Sequence, residues 1–388
     1  MIISPRIRNN ICLTAHPAGC AAEVKRQIDA VRAGGPIEGT KSALIIGSST
    51  GYGLACRIAA AFGCGASTIG VFFEKEGTET KPGTPGYYNM KSFDAEAEAA
   101  GLYTKSINGD AFSDELKQRT IDAIKEGPGK VDLVIYSLAS GVRVDPVDGK
   151  MYRSVLKPIE NTYKSRALDP MSGKIISMEI EPAVQQEIDN TVKVMGGEDW
   201  KRWMDALASA DVLTEGVKTT AFSYIGPNVT HPIYRNGTIG QAKEDLEATA
   251  RELNETLSES LGGSAFTAVN KALVTRAASV IPAISLYISI LFKVMKDRGI
   301  HEGCIEQMDR FFRGMYGGSL EIDENDRVRM DDLEMREDVQ SAVDEIWKIA
   351  SDENIEEVSD IKGYRLDFMQ MHGFEVPGVD YDAEVETL

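Results

Sequence analysis

KSALII at residues 41–46 runs directly into GSSTGYG at 47–53 and then into LACRIAAAF at 54–62. The first stretch is short, apolar and ends at a glycine, the pattern of a strand buried on both faces of a parallel sheet. The third has the composition of a helix. The glycines between them fall at G-x-x-x-G-x-G spacing, and each has its own task. Gly47 permits the tight turn out of the strand. Gly51 lets the backbone approach a pyrophosphate, and Gly53 lets the helix pack close to the strand. The N–H groups that open the helix then face the phosphates. The stretch reads as a dinucleotide-binding turn.

The same alternation continues along the chain. Residues 68–73 (TIGVFF) predict a second strand, 102–107 a weaker third, and 131–136 (VDLVIY) a fourth. Residues 113–126 predict a helix capped by Ser113 or Asp114. Residues 218–225 (KTTAFSYI) predict a fifth strand and 265–269 a sixth. Short strands alternating with helices predict an α/β fold, a doubly wound Rossmann-type parallel sheet of the short-chain-reductase kind. An insertion spanning about 141–217 separates the fourth and fifth strands, at the strand ends where this architecture binds ligands. Beyond Gly317 the chain is acidic and polar, with one further helix expected over 340–349. The expected organisation is a cofactor-binding part (1–80), a catalytic part completing the sheet (81–317), and a C-terminal segment packed on the core (318–388).

Composition removes several classes. The 388 residues are 43% hydrophobic and 26% charged, as in ordinary soluble proteins. A net charge of -18 disfavours nucleic acid and anionic membranes as partners. Five cysteines without C-x-x-C fit reduced thiols in the cytoplasm. The four histidines show no ligand spacing, so no metal is expected. The N-terminus lacks the apolar core of a signal peptide. The most apolar stretch, 277–295, is interrupted by Pro282, Ser285, Ser289 and Lys293 and reads as a buried or site-lining helix, not a membrane span.

Glu74 closes the second strand 21 residues beyond Gly53, near the offset at which an acid bonds the adenosine ribose hydroxyls. A carboxylate there repels a 2′-phosphate and favours NADH, although Lys75 beside it could compensate. After the fourth strand, SLASG at 137–141 is small enough for a nicotinamide to lie against it, or is simply a turn. Short-chain reductases pair a tyrosine acid with a lysine, usually as Y-x3-K. The pair at that spacing, Tyr87 and Lys91, falls too early in the chain. Y-x8-K occurs twice. Tyr287 and Lys296 share a predicted helix, where nine residues at 100° put them on opposite faces. Tyr234 and Lys243 are separated by the glycine-bearing loop 235–240 before a helix expected over 241–261, which frees the tyrosine from helical phase.

At this point the chain resembles the trans-2-enoyl-CoA reductases and their relatives, the V-type enoyl-acyl-carrier-protein reductases. The likeness covers nearly the whole length, through GSSTGYGLACRI, NGDAFSD, VDLVIYSLAS, VMGGEDW, SYIGP, IYRNGTIGQAK, NKALVTRAAS, LFKVMK, HEGCIEQ and GYRLDF. It implies Tyr234 as proton donor and Lys243 as the lysine that holds the cofactor. It places Gly47, Ser48, Ser49, Thr50, Gly51, Tyr52, Phe73, Glu74, Asp110, Ala111, Leu138, Ala139, Leu273, Val274 and Thr275 against NADH, and Tyr224 against substrate. From the residues alone, Tyr224 reads as a half-buried strand tyrosine and Asp110 as a loop turn. The family's C-terminal segment is described as flavin-binding-like, but no flavin motif is legible here and none is expected.

The implied reaction is hydride addition to C3 of an enoyl-CoA or enoyl-carrier-protein thioester, with a tyrosine stabilising the enolate oxygen. A monomer or weak homodimer is expected. A carbonyl reductase and a non-catalytic NAD-sensing module are the rival readings. The insertion's Arg143, Lys150, Arg153 and Lys157 are candidates for CoA phosphates, or are ordinary surface charge.

Overall fold

In the computed structural model, which describes residues 1–8, 11–279 and 281–388, the expected alternation forms one sheet. Its strands are β1 (Ser42–Ile46), β2 (Ser67–Phe72), β3 (Thr104–Asn108), β4 (Val131–Tyr136), β5 (Leu213–Ser223), β6 (Ser264–Val269) and β7 (Arg327–Arg329). They are all parallel and lie in the order β7-β6-β5-β4-β1-β2-β3. The order reverses between β1 and β4, so the crevice beside the glycine loop is the topological switch point. The six expected strands are present with shifted ends. β2 stops at Phe72, which leaves Phe73 outside it, and β5 stops at Ser223, which leaves Tyr224 and Ile225 beyond it. The edge strand β7 (RVR) was not expected. It is short and charged, paired in parallel by β6 and bridged on its other side at Val328 by Ile322, so it carries no apolar run.

Alternation along each strand divides the core between two faces. Ala43 and Ile45 of β1 pack with Val24, Ile28, Leu54, Phe93 and Phe311, all from helices on one side. Leu44 and Ile46 pack with Leu116, Trp203, Leu246 and Leu253 on the other. The helix expected over 54–62 is Gly51–Ile58, followed by a single π-turn, Ala59–Gly63. The helix Asp114–Glu126 begins as expected, with the Ser113 hydroxyl accepting from the Leu116 N–H.

The apolar stretch 277–295 becomes the helix Pro282–Asp297. Its side chains Leu286, Tyr287, Ile288, Ile290, Leu291 and Phe292 are all fully buried. A separate core encloses it: Tyr163 and Leu168 of the hairpin Tyr163–Asp169/Lys174–Ile180, Val339 and Val343 of the helix Glu337–Ile349, and Tyr364 and Phe368 of the helix Ile361–Gln370. The helix is apolar because protein covers it. Among the described residues no helix is long and apolar enough to cross a membrane.

The insertion is anchored to the sheet by a buried ion pair. Lys117 Nζ meets Asp199 Oδ1 at 2.8 Å, and the Tyr136 hydroxyl at the end of β4 donates to Asp199 Oδ2 at 3.0 Å. Neighbouring Trp200 and Trp203 are fully buried, and Trp200 donates to Thr219 Oγ1 of β5 at 2.9 Å.

Candidate active site

At the switch point the glycines are required by backbone, not by preference. Gly47 has φ +89° and Gly51 φ +56°. A Cβ on Gly47 would meet the Ser137 carbonyl at the end of β4, and one on Gly53 would meet the Gly47 carbonyl. The loop is thus folded onto itself and onto β4. The helix Gly51–Ile58 opens from Thr50 with no side-chain cap and no acidic residue in its first turn, which leaves its N–H groups for an anion. Asn89 fixes the loop from outside by donating to the Ser49 carbonyl at 3.0 Å. Ser48 donates to the Val71 carbonyl, and the Tyr52 hydroxyl donates to the Lys271 carbonyl at 2.7 Å.

Glu74 is buried beside this loop. Its Oε1 accepts the Ser49 hydroxyl at 2.8 Å and the Arg276 guanidinium at 2.6 Å. Its backbone N–H and carbonyl are both held by the Asn108 amide. The compensating cation is therefore Arg276, 202 positions away, and not Lys75, whose recorded bonds are backbone bonds to Thr84. Phe73 is 76% exposed and presents its ring to solvent. Asp110 Oδ1 accepts from the Phe112 N–H in the turn before the next helix, while the Ala111 carbonyl accepts from Lys117 and Trp203. Leu138 lies against Gly47, and Ala139 is exposed. Opposite the glycine loop, Leu273 and Val274 are buried and Thr275 faces Gly51.

The tyrosines form the other half. The expected helix 241–261 begins earlier, as Thr238–Leu261, and Gly240 in its first turn packs where a Cβ would meet the carbonyls of Tyr234 and Arg235. Tyr234 still lies outside the helix, in the turns before it. It is 7% exposed, and its hydroxyl has no hydrogen-bond partner among the described residues. Burial pushes that hydroxyl well up from the ordinary tyrosine range, with the Tyr364 and Tyr163 hydroxyls adding to it. Lys243 Nζ donates to the Phe222 carbonyl at 2.8 Å, and burial brings its ammonium down to about 8 against the pull of Glu247. Lys243 is not among the charges acting on Tyr234. The Tyr224 ring meets Tyr234 edge-on, with centroids 5.1 Å apart.

Behind these rings is a carboxyl that no local pattern marks. Glu334 is buried. It accepts the Tyr287 hydroxyl at 2.7 Å, the Ala272 N–H at 2.7 Å and, at 3.5 Å, the Tyr224 hydroxyl. Burial raises its affinity for a proton, and Lys271 opposes the shift. Tyr287 thus belongs to Glu334 while Lys296 pairs with Asp360 at 2.6 Å, so that pair is divided as helical phase requires. Lys91 bonds the Leu388 carbonyl, and no hydrogen bond joins it to Tyr87. At the ends of β5 and β6, Ser223 Oγ and both amide atoms of Asn270 are buried with no hydrogen-bond partner among the described residues. Of the insertion cations, Arg143 is excluded from contact with a phosphate. It is 1% exposed, donates to the Lys193 carbonyl and Glu198, and lies over Phe112. Lys157 is held by Glu187 at 2.7 Å.

Residues 81–316 match the trans-2-enoyl-CoA reductase catalytic region, 2–79 the NAD(P)H binding domain of trans-2-enoyl-CoA reductase, and 322–385 the enoyl reductase FAD binding domain. The chain belongs to the trans-2-enoyl-CoA reductase family. A trans-2-enoyl-CoA reductase [NADH] of Ruminiclostridium cellulolyticum is 53% identical over 100% of this chain and 98% of its own. An enoyl-[acyl-carrier-protein] reductase [NADH] of Flavobacterium johnsoniae is 56% identical over the same shares. The crystal structure of Treponema denticola trans-2-enoyl-CoA reductase in complex with NAD superposes with a TM-score of 0.96 at 50% identity, covering 100% of this chain and 98% of that one.

The glycine loop, the uncapped helix and the orphaned polar atoms fit a nicotinamide dinucleotide. The C-terminal segment of this reductase does not fit a flavin. Its apolar side chains Val339, Val343, Ile355, Tyr364 and Phe368 are spent on the Pro282–Asp297 helix. Gly363 lies inside a helix, and Gly373 packs against the His16 carbonyl, so neither forms a strand-to-helix cradle.

Proposed function

We propose that this chain reduces the C2=C3 double bond of trans-2-enoyl-CoA, and of enoyl-acyl-carrier-protein thioesters, with NADH as hydride source. The single observation that carries the chemistry is the Tyr234 hydroxyl, buried among apolar side chains, unpaired, and poised beside the cofactor crevice. Bound NADH supplies a hydride, which adds to C3 of the thioester. The π electrons move to the thioester oxygen as an enolate, and a proton then completes C2. A hydroxyl held neutral by burial is a donor throughout the neutral range, so Tyr234 bonds the developing oxyanion and delivers the proton. The Tyr224 ring fixes the orientation of Tyr234 and faces the acyl thioester.

Glu74, Phe73 and the glycine loop take the adenosine end: Glu74 the ribose hydroxyls, and the exposed Phe73 ring the adenine face. Lys243 holds the nicotinamide ribose with its ammonium. Asp110, Ala111, Leu138, Ala139, Leu273, Val274 and Thr275 line the path between. In this division of labour, residues 1–80 bind the cofactor, 81–317 perform the chemistry, and 318–388 brace the site. Glu334 at the back of the tyrosine cluster supports the last of these.

Both thioester classes are included because relatives under each name match at nearly equal identity over full length. Following NADH oxidation with crotonyl-CoA and then with a longer enoyl-carrier-protein tests the reading. Turnover of both is expected, with the CoA thioester preferred. Inertness towards both, with reduction of a simple ketone instead, would overturn it in favour of a carbonyl reductase.

A further inference from the structure

We infer that Arg276 is a cofactor-specificity residue, the receptor for a 2′-phosphate that Glu74 holds in check. The inference rests on the proposed role of Glu74 at the adenosine ribose. Two of its features are geometric. Arg276 Nη1 lies 2.6 Å from Glu74 Oε1, and the carboxylate side chain is 4% exposed while the guanidinium side chain is 40% exposed. The acid is therefore at the floor of the crevice and the cation at its mouth. Ser49 and Arg276 both bond Oε1, and Oε2 has no hydrogen bond among the described residues. One carboxylate oxygen is committed to the protein and the other is left for a ribose hydroxyl.

This arrangement determines how each dinucleotide is received. A 2′-hydroxyl donates to Oε2 without disturbing the pair. A 2′-phosphate brings nearly two negative charges against a buried carboxylate. It can be accommodated only by winning Arg276 from Glu74, which would leave that carboxylate buried and unpaired. Discrimination is thus a property of the pair, and the cation needed for the opposite specificity is already in place. An arginine fork matches a phosphate well once it is released. Lys75, the other cation near the strand end, makes no ion pair with Glu74 among the described residues, where Arg276 does.

The test is a binding cycle read by direct titration of NADH and NADPH, monitored by quenching of protein fluorescence, with no substrate present. The variants are Glu74→Ser, Arg276→Ala, the double variant Glu74→Ser/Arg276→Ala, and Glu74→Ser/Lys75→Ala. Glu74→Ser should tighten NADPH and weaken NADH, each by about tenfold, the worth of one charge-assisted hydrogen bond. Adding Arg276→Ala should abolish the NADPH gain, and adding Lys75→Ala should leave it intact. NADPH binding to Glu74→Ser should also weaken steeply with added salt. A gain that survives loss of Arg276, or that is lost with Lys75, overturns the assignment. If Glu74→Ser changes neither dissociation constant, Glu74 does not read the ribose, and the underlying reading fails first. Glu74→Gln, which keeps the shape of the side chain, replaces Glu74→Ser should the smaller residue not fold.

Discussion

At the glycine loop, positions 47 and 53 exclude side chains because backbone lies where a Cβ would be, and the turn itself is contained in the consecutive residues 47–53. At the tyrosine cluster, residues 224, 234, 287 and 334 come from four separate segments of the chain, and the contacts between them are side-chain hydroxyls, ring edges and one buried carboxyl. The first region is rigid by local geometry and tolerates no substitution of its glycines. The second is held by long-range packing and is divisible, so its members can be removed one at a time. The difference teaches that the two proposed tasks, cofactor binding at the loop and proton delivery at the cluster, can be separated by substitution.

The largest expected effect breaks the cluster and spares the loop. Tyr234→Phe removes an unpaired hydroxyl, so stability and NADH affinity should be unchanged. The kcat should fall by about 10²–10⁴-fold, the usual worth of a positioned general acid. Near-normal turnover in a folded variant would mean that another group or water protonates the enolate.

Next comes a purely structural effect outside both regions, where the insertion is anchored to the sheet. Lys117→Met leaves Asp199 buried at 1% side-chain exposure with only Tyr136 as partner. The loss should be about 3–5 kcal/mol, measured by denaturant unfolding, because an uncompensated buried charge is costly. Replacing both partners, as Lys117→Met with Asp199→Leu, should recover much of it. No recovery would show that the pair contributes more than mutual neutralisation.

Lys243, proposed to hold the nicotinamide ribose, has an effect graded by pH. Its folded pKa of about 8 lies below the ordinary 10.5, so the sign is that of a cation disfavoured by burial. The fold carries the full cost of the charge below pH 8 and is relieved of it between about 8 and 10.5. The ammonium available to a ribose hydroxyl is lost as pH rises through the same value. NADH affinity should therefore decline above about pH 8, and Lys243→Met should bind more weakly with a flat profile over that range. A wild-type profile that is equally flat would remove Lys243 from the ribose.

How much of this the sequence carries follows the same division. Six strands, the glycine loop, Ser113 as a cap and the split between Tyr287 and Lys296 are all encoded by spacing within one or two turns. Strand ends slipped by one or two residues at Phe73 and Tyr224, where apolar or aromatic composition continues past the last ladder bond. β7 and Glu334 lie in an acidic stretch whose polarity looks like solvent-facing chain; packing, which no local pattern expresses, buries Glu334 at 1% exposure. Arg276 is invisible for the same reason, since only folding brings it across 202 positions to Glu74. Neither reading of Arg143, as a CoA-phosphate contact or as surface charge, holds, because charge alone does not reveal that Asp145, Glu198 and a carbonyl enclose it.

The smallest expected effect sharpens the boundary inside the cluster. Tyr287 is fully buried, and its hydroxyl donates to Glu334 at 2.7 Å and accepts from the Gln340 amide at 3.1 Å. It bonds Glu334 Oε1, which the Tyr224 hydroxyl also approaches, while the Ala272 N–H takes Oε2. Tyr287→Phe therefore deprives a buried carboxyl of its strongest donor and leaves the ring packing intact. A hydrogen bond to a buried carboxyl is worth about 1.5–3 kcal/mol when charged and about 1 kcal/mol when neutral. Burial favours the protonated form of Glu334, so the loss of stability should be about 1 kcal/mol at pH 6 and larger at pH 8. The kcat should change less than about tenfold, because Tyr234 makes no bond to Tyr287 and acid catalysis needs direct reach to the reacting oxygen. A fall in kcat as large as that of Tyr234→Phe, with stability unaffected, would place the proton source at Tyr287 and Glu334 and dissolve the distinction between a catalytic tyrosine and the carboxyl that braces its neighbour.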